Sequence, residues 1–137
     1  MLFRSMISTW GMCSRQAVRE VKAAPDARSQ LIAAGLGYVD FALQRPALFR
    51  LLWGAARPDF TAAHLSVAAL AAYRHLADQV GAAGGKTVNN ESAVWAIAHG
   101  LADLLSAGRM RSIGSFPPAE RDAAITAIIS RTLPAPA

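Results

Sequence analysis

The chain lacks most of the features that mark a functional class. It has one cysteine, Cys13, which excludes an internal disulfide framework and suits a reducing compartment. No uninterrupted apolar run approaches the roughly 18 residues of a membrane span. The opening MLFRSMISTWGMCSR has neither the compact apolar stretch nor the small-residue cleavage site of a signal peptide. A cytoplasmic location with no membrane partner is therefore expected. Acidic residues number nine against fourteen basic ones, for a formal charge of +5. Twelve of the basic residues are arginines scattered along the chain, with Arg109 and Arg111 the one close pair beyond the N-terminal portion. Such scatter reads as a solvated basic surface rather than a nucleic-acid footprint.

Catalytic signatures are equally scarce. Gly84-Gly85-Lys86 lacks both the spacing of a phosphate loop and a preceding strand. No serine lies in a nucleophile elbow, and Cys13 has no neighbour in sequence that would activate it. Glu120 and Asp122 fall in the first turn of an expected helix, where the helix dipole accounts for them. His64 and His75 fall on similar faces of one expected helix, yet eleven residues separate them by roughly 16 Å, too far for one ion. His75 with Asp78 or Gln79 has ligand spacing but no third strong donor. No catalytic residue, metal or cofactor is implied, and a small helical enzyme would need a cleft of converging titratable groups.

What the chain does have is helical periodicity. With 53% hydrophobic residues in 137, it is long enough for one domain with a real core. Ala93 to Ser106, AVWAIAHGLADLLS, is the stretch around which the rest is organised. Val94, Ile97, Ala98, Leu101, Leu104 and Leu105 make a broad apolar arc at about 100° per residue, and Trp95, His99, Ala102 and Ser106 flank it. Ala96, Gly100, Asp103 and Ala107 form the remaining side, small rather than strongly charged. A helix with so little polar face reads as central, contacted on most sides.

The other elements follow from local signals. Ser14 to Ala23 suits a helical segment. Asp26 suits an N-cap, with Ile32, Leu36, Val39 and Leu43 at helical spacing as far as Arg45. Pro46 then opens a short helix, PALFRLLW, with Gly54 as its C-terminal cap. Asp59 or Thr61 caps a helix to about Val80, broken by Gly81 to Gly85. Lys86 to Asn90 reads as a polar loop, and Asn89 or Asn90 as the cap of the central helix, which Gly108 closes. Arg109 to Phe116 reads as a connection, and Pro117-Pro118 opens a last helix, Ala119 to Thr132, with Ile125, Ile128, Ile129 and Leu133 on its apolar face. No strand is expected. The fold class is all-α, a single bundle of about five to six helices.

Two of these segments carry a resemblance. Leu31 to Gly54, LIAAGLGYVDFALQRPALFRLLWG, resembles the ligand-binding domain in a large branch of tetracycline-repressor (TetR) family regulators. Trp95-Ala96-Ile97-Ala98-His99-Gly100 resembles the W-x-x-x-H-G signature of one subclass of these C-terminal domains. The likeness covers about residues 26 to 132. It implies a TetR-type helical domain over residues 26–137, preceded by a linker remnant over residues 1–25. Family members carry an N-terminal helix-turn-helix, whereas MLFRSMISTWGMCSRQAVREVK does not read as one. DNA binding is accordingly expected only where such a head is present.

The resemblance also implies a function, namely sensing of a small, mostly hydrophobic effector by a homodimer. It brings Tyr38, Phe41, Phe49, Trp53, Tyr73, Trp95 and His99 together as candidate ligand contacts. The alternative for each is a place in the core: His99 as a packed, hydrogen-bonded residue, Trp95 as an anchor. The expected dimer surface is the strip Ala96, Gly100, Asp103 and Ala107, with Asp103 meeting an arginine of the partner, together with Ile125, Ile128 and Ile129. The rival reading is a dimeric interaction module with a filled core and no ligand. A cavity of a few hundred Å³ would favour the sensor, and a packed interior its rival.

Overall fold

A computed structural model describes residues 26–53, 74, 77–85 and 87–133, with the side chains of residues 51 and 52 excepted. All regular secondary structure among the described residues is helical. The segment 1–25, and with it the helix expected from Ser14 to Ala23, lies outside them. So do Gly54, Asp59, Thr61, Tyr73, His64, His75 and Cys13.

Helix α1 (Ala27–Gln44) starts where local chemistry directs. Asp26 is extended and its Oδ1 accepts a hydrogen bond from the Ser29 amide at 2.8 Å, while the Ser29 hydroxyl donates to Oδ2 at 2.9 Å. These bonds to Ser29 hold the Asp26 carboxyl below the usual carboxylate range. Pro46 follows Arg45 and starts α2 (Pro46–Trp53) at its first position, where a missing N–H costs nothing. The break falls at Arg45 (φ −132°, ψ 58°): its N–H donates to Phe41 O at the end of α1, and its carbonyl accepts from Phe49 N at the start of α2, both at 2.9 Å.

Residues 77–82 are helical and end two residues later than the expected Val80. The central helix α3 (Val88–Ser106) starts earlier than expected. Its N-cap is Thr87 rather than Asn89 or Asn90: Thr87 is extended and its Oγ1 accepts from the Asn90 amide at 3.2 Å. Asn89 and Asn90 are already inside the helix, because the β-branched hydroxyl two residues upstream supplies the same capping oxygen. Both helix ends close in the same way. Gly84 (φ +88°) and Gly108 (φ +68°) sit in the left-handed region. Gly85 N donates to Val80 O and Gly84 N to Gly81 O, as Arg109 N donates to Leu104 O and Gly108 N to Leu105 O. Each is a Schellman motif.

Between α3 and the last helix, the expected connection contains one short turn of helix, α4 (Arg111–Gly114). The last helix, α5 (Pro118–Ser130), ends two residues before Thr132. Helix α1 packs chiefly on α3, and α5 lies against both. The side of α3 that carries Ala96, Asp103 and Ala107 stays exposed, so α3 is not enclosed on most sides. Phe49, Val39, Ile125, Ile129 and Ala102 are almost fully buried in the main core. Leu31, Val80, Val94 and Leu133 form a second, smaller cluster.

Candidate functional site

Tyr38 on α1, Phe49 and Trp53 on α2, and Trp95 and His99 on α3 converge where the bend at Pro46 folds α2 back on the bundle. Trp95 and His99 are one helical turn apart, so their rings stack, with centroids 5.5 Å apart and an interplanar angle of 20°. Trp53 meets both edge-on, at 5.4 Å from Trp95 and 5.2 Å from His99. Phe49 lies 5.6 Å from His99 and 5.9 Å from Tyr38. His99 is thus enclosed by four aromatic rings, Tyr38 being the fourth. Offset and edge-to-face geometries of this kind are the favoured ones for aromatic pairs.

A polar contact crosses the cluster: Tyr38 Oη and His99 Nδ1 are 2.9 Å apart. Burial holds the His99 imidazole below the usual histidine value, and the nearby Asp103 carboxylate opposes this more weakly. A neutral imidazole accepts at one ring nitrogen only. The contact serves either tautomer: the Tyr38 hydroxyl donates to a bare Nδ1, or a protonated Nδ1 donates to the hydroxyl oxygen. No buried side-chain nitrogen or oxygen among the described residues is without a partner. His99 makes no second hydrogen bond there, so Nε2 lies at the solvent edge of the cluster.

The structure sorts the expected ligand contacts. Tyr38, Phe49, Trp53, Trp95 and His99 come together, and Tyr73 lies outside the described residues. Phe41 does not join them: it is buried in the main core and makes no ring contact with the five.

The expected dimer surface also divides. Ala96, Asp103 and Ala107 are exposed and Gly100 is half-exposed, with nothing within 4 Å of where its Cβ would stand. Ile128 is half-buried. Ile125 and Ile129, however, are 1% and 2% exposed inside their own chain, so they are core residues and not surface available to a partner. Asp103 already faces an arginine of its own chain, Arg109, at 3.9 Å. Both side chains are solvated, so the pair contributes little.

Beside the ring cluster lies a cavity of about 40 Å³, which sequence reasoning missed. Leu31, Ala34, Gly35, Gln79, Ala98 and Ile129 line it, and Tyr38 and Trp95 wall it from the rings. Its sequence signal was present in the small residues Ala34, Gly35 and Ala98, but nothing local shows that α1 and α3 cross there. Among the described residues no three His, Cys, Asp or Glu groups converge as a metal site. No described helix is long and apolar enough to cross a membrane.

With that geometry in view, comparison with protein families places residues 31–132 in the family described as "Tetracyclin repressor-like, C-terminal domain". The chain belongs to this family. The match spans α1 to the end of α5, and so includes the ring cluster, the cavity and the exposed strip of α3. Comparison with curated proteins and with solved structures finds no match. Within this tetracyclin repressor-like domain, Trp95 and His99 are partners in one stack, because a four-residue step on α3 puts both rings on one face.

Proposed function

We propose that this chain is the effector-sensing and dimerisation domain of a TetR-type transcriptional regulator, cytoplasmic and regulatory rather than catalytic. Residues 26–137 constitute the domain, which binds a small, mostly hydrophobic molecule and pairs with a second copy through α3 and α5. The observation that carries the reading is the family match over residues 31–132. Two features agree with it. The interior is apolar with a few polar tips, the composition of a small-molecule site. The outer side of α3 carries only Ala96, Gly100, Asp103 and Ala107, which lets another helix approach closely.

One observation favours the rival, a dimeric module with a filled core. The five rings pack on one another, and the cavity of about 40 Å³ is far below the roughly 300–1,000 Å³ of a drug-sized site. A sensor built this way must therefore open on binding, at the expense of existing contacts. Thermal melts of the whole chain against a panel of small apolar molecules, followed by light scattering, separate the readings. The sensor requires a saturable rise in melting temperature with at least one compound. A dimer that no compound stabilises leaves the filled-core module as the correct reading.

A further inference from the structure

The ring cluster and the cavity offer a ligand very different terms. Entry among the rings disrupts the Tyr38–His99 hydrogen bond and several ring contacts that centre on His99. Entry at the cavity needs one side chain to move. The backbone of α1 at Gly35 has no side chain, and Ile129 of α5 uses the space: a Cβ at Gly35 would stand 2.7 Å from Ile129 Cδ1, closer than atoms tolerate. The same Ile129 lines the cavity and is 2% exposed. Its terminal methyl is thus a plug between α1 and α5, held by packing alone. Gly35 and Ile129 both line the cavity, and moving an apolar side chain breaks no hydrogen bond.

We propose that this cavity is the seat of a compact apolar ligand, and that Ile129 is the group the ligand displaces. The proposal deepens the sensing reading and rests on it for its biological role. The lining sets the chemistry. Among the described residues it carries no ionisable carboxylate, amine or guanidinium, so a charged molecule there would be desolvated without a counter-charge from them. Gln79 supplies one amide side chain, which suits a hydrocarbon-like ligand with at most one hydrogen-bonding group. Because Ile129 belongs to α5, whatever shifts it acts on a helix placed in the proposed dimer surface. The site and the response are then joined by one side chain.

The test uses the whole chain with 13C-labelled isoleucine δ1-methyls and xenon as the probe, since xenon enters dry cavities without needing polar partners. The expected result is a saturable shift of the Ile129 methyl with xenon pressure, and none at Ile113 on α4. Ala98→Leu fills the cavity from α3 and should abolish the shift. Ala34→Leu does so from the half-buried side of α1 and serves where the first variant does not fold. Ile129→Ala enlarges the cavity and should bind benzene, which the unmodified chain binds more weakly. No saturable response at Ile129, or one that survives in both filled variants, overturns the site. A monomer that responds at Ile129 keeps the site and removes the dimeric sensor. A dimer in which apolar compounds shift the Trp53 and His99 rings and leave Ile129 unmoved keeps the sensor and overturns the site.

Discussion

Tyr38 and His99 are 61 residues apart in sequence and their side chains meet at 2.9 Å, Oη to Nδ1, within a shell of aromatic rings. The bond joins α1 to α3 where an imidazole stands among the aromatic rings. Removing the hydroxyl with Tyr38→Phe keeps the ring contacts and leaves Nδ1 without its partner. A loss of about 1–2 kcal/mol is expected, the range for a part-buried acceptor left unpaired. Urea unfolding of the two proteins measures it, and an unchanged midpoint would mean that water replaces the hydroxyl at no cost.

The depressed His99 pKa has a sign in stability. Above about 6.5, the usual histidine value, the imidazole is neutral in both the folded and the unfolded chain. As the pH falls below that value, the unfolded chain takes up a proton and the folded chain does not. Stability therefore falls through the window between 6.5 and the lower folded-state pKa, and His99 adds no further pH dependence below it. The imidazole resonances of His99 should titrate with a midpoint below about 6.5, and His99→Gln should flatten this part of the pH–stability curve. A midpoint above the usual value would show that Asp103 outweighs burial.

Gly108 closes α3 with φ at +68°; its N–H donates to Leu105 O, and the Arg109 N–H donates to Leu104 O. A Cβ there meets no atom within 4 Å, so the cost of Gly108→Ala is conformational alone. It should lower stability by about 1 kcal/mol. Thermal unfolding gives the value, and a gain in stability would show that the turn relaxes out of the left-handed region.

The proposed dimer is tested on α3 and α5. Gly100→Glu projects a carboxylate from open surface, so a folded chain is expected. Ile128→Glu does the same from the half-buried side of α5. An interface of this kind buries roughly 1,200–2,000 Å² in total, and a charge at its centre should convert dimer to monomer at micromolar concentration in light scattering. A chain that is already monomeric, or two variants that both stay dimeric, places the interface elsewhere.

Local chemistry was readable from the residues alone: Asp26 as a cap, Pro46 as the start of the second helix, Gly108 as the stop, and an all-α fold. These depend on groups within four or five residues of one another, where sequence distance and spatial distance agree. The motif residues Trp95 and His99 were also legible, because a four-residue step on a helix forces two rings onto one face. Tertiary structure decided which faces meet. Helix α3 is apolar or small almost all round, so periodicity gives no preferred direction, and Ala102, read as flanking, is fully buried. On α5, Ile125, Ile128 and Ile129 read alike in sequence. Packing separates them: Ile125 and Ile129, one turn apart, are buried, with Ile129 filling the space at Gly35 of α1, while Ile128 stays half-buried. The cavity has the same origin, since it exists only where the small residues of α1 and α3 cross.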